Sequence, residues 1–395
     1  MRILMLLEKD FPPDLRVEKE IKALVEDDNK ITLVCYTHKQ KDEIEHAQNI
    51  TIYRYAISTF VHKSSVAALK FPFYFNFWIN NLNILFQNNS FDVIHVHDLP
   101  LAKVAKKFAV KFHIPMILDL HENWPALLKV SYHANTLLGK ILSSVKQWRA
   151  YELSALKWAD KLIVVVDEAK ERIIKMGIPE SKIEIVSNTI NACEITFNNA
   201  EKVFPHSLVY AGGLNYYRGL QIVLPAISKL IEKYPDLKLW IIGSGKFRKR
   251  LDKMIISLHL EKHVQFTGWL SFENMLKFLM QAQIALVPHL RSEHTDSTIP
   301  HKLFQYFAAN KPVISSDCLP LKRIISQTGA GLVYKFNDPT ELAHQITCLF
   351  EDENLCDSIR ENQKKALEKY NWQRDSLNLK KLYKNLVQDF PKEKI

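Results

Sequence analysis

Short apolar runs rich in β-branched residues alternate with stretches of helical periodicity from one end of the chain to the other. In the first half the strand-like runs fall near 2–7, 31–36, 50–55, 93–97, 115–120, 161–166 and 183–187. In the second half they fall near 207–212, 237–243, 264–268, 284–288, 312–316 and 331–334. Runs this short and this continuously apolar suit strands covered on both faces, the condition of a parallel sheet. The alternation therefore predicts two α/β units, each a parallel sheet flanked by helices. A polar, weakly periodic stretch over 189–205 separates them. The tail, 353–390, reads as two amphipathic helices with Trp372 near their junction. It carries no sheet of its own and must pack on a unit already built.

Glycine usage distinguishes the halves. Eight of the ten glycines lie between Gly212 and Gly331. The second unit thus holds the tight strand-to-helix turns in which backbone N–H groups meet phosphate, and the first has almost none. A nucleotide is expected on the second unit and another substrate on the first.

Composition adds bounds. With 395 residues, 47 % of them hydrophobic, the chain has material for two cores. No apolar run approaches the roughly 20 residues that span a bilayer. The opening, MRILMLLEKDFPPD, lacks the apolar length and small-residue cleavage site of a signal peptide, and reads as the first strand of a cytoplasmic protein. Five scattered cysteines without a CxxC argue against a disulfide framework or a zinc site and fit a reducing compartment. The net charge is +10, and residues 60–150 carry ten Lys/Arg against four Asp/Glu. No nucleic-acid motif accompanies that charge, so an anionic membrane surface or a phosphorylated substrate is the expected partner, with a solvated basic surface as the plain alternative. The stretch 62–79 interleaves Lys63 and Lys70 with aromatic residues, which suits a membrane interface or core packing.

Candidate chemistry clusters at predicted strand ends. The segment STIPHKLFQYFAANKPVISS (297–316) reads as a helix start, a short helix, a turn and a buried strand. Ser297 and Thr298 are expected caps and Pro300 an expected first-turn residue. Lys302 breaks the pattern. The amino end of a helix carries partial positive charge, so a first-turn lysine is unfavourable unless an anion binds there. Gln305, three residues on, shares its face. Two glycine turns follow strands: YAGGLNYYRGL, with Gly212, Gly213 and Arg218, and IIGSGKFRKRL, with Gly243 and Gly245. FTGWL offers Thr267, Gly268 and Trp269 after a third strand. In the first unit HVHDLP and DLHENWP place His97, Asp98, His121 and Glu122 after buried strands, where residues of a parallel sheet line its ligand crevice. There is no DxD motif and no carboxylate cluster suited to a divalent ion, so positive side chains are expected to do a metal's work.

Taken in order, these segments resemble the GT-B glycosyltransferases of family 4, the retaining, metal-independent enzymes that use nucleotide-sugars. The resemblance covers nearly the whole chain. FPPDLRVEKEIKALVED is similar to the family's D-x-R-V helix, which contains Arg16. FDVIHVHDLPLA and LDLHENWP look like its HxHD and D-x-HE segments. ELSALKWADKLIVVVDEA with VSNTI, then GGLNYYRGL, IIGSG, FTGWL, TIPHKLFQYFAANKPVISSD and YNWQ, follow in the family's order.

The resemblance implies two Rossmann-like domains facing each other across a cleft, with C-terminal helices returning to the first. The implied borders are 1–195, 196–370 and 371–395. It implies a UDP- or GDP-linked donor, a saccharide or lipid-linked acceptor, no metal or other cofactor, and a role in cell-surface polysaccharide synthesis at the inner face of the membrane. Arg218 occupies the slot of the basic residue that contacts the donor diphosphate. A second basic slot falls on Gly213, and Lys302 is the expected replacement. The acidic E-x7-E pair falls on Ser297 and Gln305, the latter where the family binds ribose. His97 and His121 are expected at the sugar, and Arg16, Asp98 and Glu122 on the acceptor side. A nucleotide-sugar epimerase of the same fold and a catalytically silent binding subunit remain the alternatives.

Overall fold

A computed structural model describes residues 1–130, 139, 142–195 and 202–390. Part of the connector expected over 189–205 therefore lies outside the described residues. The chain forms two compact units. One comprises Met1–Ser187 with the tail from Asp375 onward, the other Asn188–Arg374.

The first unit is built on eight strands: β1 (Arg2–Leu7), β2 (Lys30–Thr37), β3 (Glu43–Ala47), β4 (Ile50–Ala56), β5 (Val93–His97), β6 (Met116–Leu120), β7 (Lys161–Val164) and β8 (Ile183–Ile185). Their order is β3-β4-β2-β1-β5-β6-β7-β8. Every pairing is parallel except β3 with β4. β1, β5 and β6 are almost entirely buried, as their unbroken apolar sequences require. β3 escaped the hydrophobic pattern. Its sequence, EIEHA, is exposed at all but one position and carries charge, the usual protection of an edge strand.

The second unit has six strands: β9 (Ser207–Ala211), β10 (Lys238–Ile242), β11 (Val264–Gly268), β12 (Ile284–Val287), β13 (Val313–Ser316) and β14 (Leu332–Tyr334). They are ordered β11-β10-β9-β12-β13-β14, all parallel. Strand order reverses between β1 and β5 in one sheet and between β9 and β12 in the other. At such switch points adjacent loops diverge to opposite faces and leave a crevice.

Local sequence explains the helix that borders the first crevice. Asp14 caps Leu15–Val25 by accepting from the N–H groups of Arg16 and Val17, while its own N–H donates to Glu18. The two tail helices are Glu353–Lys369 and Trp372–Asp389. The second crosses to the first unit, where Asn378 Nδ2 donates to Ile185 O at 3.2 Å and Tyr383 is buried against His95. The two compact units meet along the chain at Ser187/Asn188 and Arg374/Asp375, within a few residues of the implied borders 195/196 and 370/371. Asn188 Nδ2 donates to Ile299 O, and Trp372 N–H to Ile190 O, which ties both passages to the second unit. Among the described residues no helix is long and apolar enough to cross a membrane.

Candidate active site

The second unit's crevice lies where β9 and β12 part. Gly212 follows β9, and its N–H donates to Ile242 O at 2.8 Å. Leu214 N–H donates to Ser244 O, and Phe247 N–H to Leu214 O, so the loop after β9 is laced to the Gly243–Gly245 turn after β10. Gly243 N–H in turn donates to Gly268 O, which brings in the FTGWL turn. There Thr267 Oγ1 donates to Gly268 O, and Trp269 stands 75 % exposed. Gly219 closes the first loop at φ 79°, and a Cβ there would lie 1.6 Å from Pro288 O, just after β12. Only glycine permits that approach.

Arg218 ends the short turn Tyr216–Arg218 ahead of helix Leu220–Ser228. Its Nη1 donates to His289 Nε2 at 2.9 Å, and its guanidinium lies 4.9 Å from the Tyr217 ring centre. Lys302 is the second residue of helix His301–Ala308 and is buried. Its ammonium sits 3.8 Å from the Tyr210 ring centre and has no hydrogen-bond acceptor among the described residues. Tyr210 is held in place by donating to Gly213 O at 2.8 Å. A Cβ on Gly212 would stand 2.6 Å from Lys302 Nζ, so the amine fills the space beside Gly212. Burial, then the nearby Arg218, push the Lys302 pKa well below its ordinary value. His289 and His294 are held neutral for the same reasons, His294 down to about 3. Neither histidine was anticipated. Their signal was position alone, in the run that follows β12.

The expected caps do not form. Ser297 Oγ donates back to Glu293 O and His294 O, Thr298 is extended, and Pro300 takes the cap position without a side-chain bond. The helix therefore begins without a side-chain cap from Pro300 and beside the Lys302 amine, a setting complementary to an anion. Gln305 is buried on the same helix, and its amide makes no hydrogen bond among the described residues.

The first unit gathers a different set. His97 ends β5, Asp98 follows at φ 62°, and Asp119 lies near the end of β6. His121 bridges them: Nε2 is 2.7 Å from Asp119 Oδ2, Nδ1 is 3.5 Å from Asp98 Oδ2, and its backbone N–H donates to Asp98 Oδ1. Against the cost of burial, Asp119 and then Asp98 raise the imidazolium pKa to about 9. His97 stands behind, fully buried, with Nδ1 3.4 Å from Asp119 Oδ2, and burial followed by His95 lowers it to about 3. Its complete burial places it where it supports His121 and not where a sugar reaches it. Arg16, expected on the acceptor side, is likewise buried. It donates to both Asp119 oxygens, to Val186 O, and pairs with Glu20 at 3.0 Å. It organises the floor of the site. Glu122 follows His121 at a half-buried position.

Three participants were not foreseen. Asp119, held well below the usual carboxylate range by Arg16 and His121 despite burial, is the hub. Tyr383 lies 2.7 Å from His95 Nδ1 and ties the tail to the network. Glu8, just past β1, is raised to about 8, chiefly by burial, with a Tyr74 hydrogen bond opposing and Asp98 adding. The structure also corrects the expectation of no carboxylate cluster: ligand atoms of Glu20, His95, His97 and Asp119 lie within 4.8 Å of one another. Arg16 already pairs with both carboxylates of that set.

Comparison with known proteins completes the picture. The Glycosyltransferase Family 4 model matches residues 16–193, and the model "Glycosyl transferases group 1" matches 194–366. An uncharacterized glycosyltransferase of Methanocaldococcus jannaschii is 26 % identical over 306 residues, 76 % of this chain and 78 % of its own. The 2-deoxystreptamine N-acetyl-D-glucosaminyltransferase of Niallia circulans is 21 % identical over 69 % of this chain and 71 % of its own. Among solved structures, sucrose-phosphate synthase of Thermosynechococcus elongatus superposes with a TM-score of 0.79 at 15 % identity, covering 98 % of this chain and 99 % of its own. Anabaena HepE in complex with UDP-glucose gives 0.71 at 13 % identity over 98 % and 100 %. The fold is GT-B, and the chain belongs to the family 4 type of GT-B glycosyltransferases.

Proposed function

We propose that this glycosyltransferase is a retaining, metal-independent enzyme that moves a sugar from a UDP- or GDP-linked donor to a saccharide or lipid-linked acceptor. Its setting would be cell-surface polysaccharide synthesis at the cytoplasmic face of the membrane. One observation carries the donor assignment. Lys302 holds a buried amine with no acceptor among the described residues, its proton disfavoured by burial and by Arg218, at the switch point of the glycine-rich unit. Two cations in one crevice repel each other unless an anion joins them, and a diphosphate supplies two such charges. Relatives of the fold that carry UDP, UDP-glucose or UDP-2-fluoro-glucose support a nucleotide-sugar.

In this reading the bond between the anomeric carbon and the diphosphate oxygen breaks, and charge grows on the leaving phosphate. Arg218, Lys302 and the dipole of the helix that starts at His301 stabilise that charge, a role that requires no metal. The leaving phosphate accepts the proton of the attacking hydroxyl, so the new bond forms on the face the donor vacates. Gln305 hydrogen-bonds the ribose. His121, fixed as an imidazolium between Asp119 and Asp98, sets the positive charge on the sugar and acceptor side, which Asp98 and Glu122 line. Arg218→Ala should lower turnover about 10²-fold or more. The product's anomeric configuration should match the donor's, and a chelator should leave the rate unchanged. Near-normal turnover in the variant sinks the assignment. Binding of nucleotide without any transfer would favour the silent-subunit reading that the neutral Gln305 motivates.

A further inference from the structure

We infer that residues 59–73 of the first unit form a docking face for an anionic lipid bilayer. The inference extends the lipid-linked acceptor reading, but it rests on its own observations. Helix Thr59–Ser64 and the start of helix Phe73–Asn88 lie beyond the carboxyl ends of β2 and β4. Tyr36, near the end of β2, fastens them, its hydroxyl 3.5 Å from His62 Nε2 and its ring 6.5 Å from that of Trp78. Beneath, Tyr74 and Trp78 are buried. Above, the aromatic residues turn outward: Phe60 is 65 % exposed, and Phe71 and Phe73 are each 47 % exposed. They form one patch, with ring centres 5.4 Å apart for Phe60 and Phe73 and 6.3 Å for Phe71 and Phe73. Phenylalanines left in water at the tips of adjacent elements cost burial energy that an apolar partner would recover.

Charge selects the partner. No Asp or Glu occurs between Glu45 and Asp92, whereas Lys63 and Lys70 flank the phenylalanines and are exposed. The neighbouring helix Ala102–Phe112 adds four lysines and no acid, with Lys103 Nζ 5.9 Å from the Phe75 ring centre. The two acids between Glu45 and Asp119 are engaged elsewhere, Asp92 with Arg2 and Asp98 with His121. Exposed aromatic rings, with exposed lysines beside them in an acid-free stretch of sequence, match the interface of an anionic bilayer, in which rings enter the headgroup layer and ammonium groups meet lipid phosphates.

The test is co-sedimentation of the full chain with phosphatidylcholine vesicles, with and without phosphatidylglycerol, at low and high salt. Retention should require the anionic lipid and fall at high salt. The double variant Phe71→Ser with Phe73→Ser should lower partitioning about tenfold. Lys63→Glu and Lys70→Glu should each lower it about fivefold or more. Unchanged melting temperatures would confirm that these exposed substitutions leave the fold intact. Equal retention by neutral vesicles, no retention, or variants that bind like the parent would overturn the inference. So would a concentration-dependent dimer that the serine variant dissolves, which would assign the face to a second copy. Nucleotide-induced thermal stabilisation depends on the second unit and should persist in all these variants, so failure here is distinct from failure of the donor assignment.

Discussion

Lys302→Met should make the ligand-free protein more stable and the ligand-bound protein harder to form. Methionine keeps an unbranched apolar stem against Tyr210, where its sulfur also suits a ring contact. It removes an amine whose nitrogen is buried without an acceptor. A buried polar group left unsatisfied costs about 1–3 kcal/mol, and the lost cation–π contact offsets part of that, leaving a gain of about 1–2 kcal/mol. For a unit spanning 188–374 this raises the melting temperature by about 2–8 °C. The bound state loses a charge-assisted hydrogen bond worth about 1.5–3 kcal/mol, so nucleoside diphosphate affinity should fall about 10- to 150-fold. Thermal unfolding with titrated UDP and GDP measures both effects. Proton linkage gives a third readout. Burial and Arg218 depress the Lys302 pKa in the free protein, and an anion restores it, so binding should take up a proton in the parent and not in the variant. In the free protein the lysine's contribution to stability rises with pH between its depressed pKa and its ordinary value, because there the unfolded chain still binds a proton that the folded one has released. A lower melting temperature together with unchanged affinity would refute the reasoning.

His121 gives the opposite sign in the other unit. Its folded pKa of about 9 exceeds the ordinary 6.5, so its contribution is complete below about 6.5 and disappears as pH rises through 9. Urea denaturation of the parent should lose roughly 3 kcal/mol of stability across that window, and His121→Gln should flatten the loss. Gly219→Ala forces a Cβ into Pro288 O at a φ of 79°, and should cost about 3 kcal/mol or more in the same assay and detach Arg218 from its place.

Much of the architecture could be read from periodicity, because buried parallel strands are continuous apolar runs. β3 was the exception, since an exposed, charged edge strand has no apolar face to announce it. The basic residues of the second unit were legible for a physical reason: Lys302 violates helix electrostatics, and Arg218 sits in a glycine turn. Their partners were not. His289 meets Arg218 only because β9 and β12 are neighbours, a fact of strand order and not of sequence spacing. The first unit's network is more remote still. Arg16 reaches Asp119 across 103 residues and His95 meets Tyr383 across 288. His97 and Arg16 looked like ligand contacts because they stand in motifs, but burial assigns them to the support of His121. Ser297 looked like a cap, but its hydroxyl is taken by its own turn.

Thermal shift of the parent and of Arg218→Ala with UDP, GDP and their sugar derivatives puts the donor assignment to the test. At least one should raise the parent's melting temperature in step with ln(1 + [L]/Kd), and the rise should largely vanish in the variant. No shift with any of them, or a shift that survives intact without Arg218, would contradict a diphosphate held between Arg218 and Lys302.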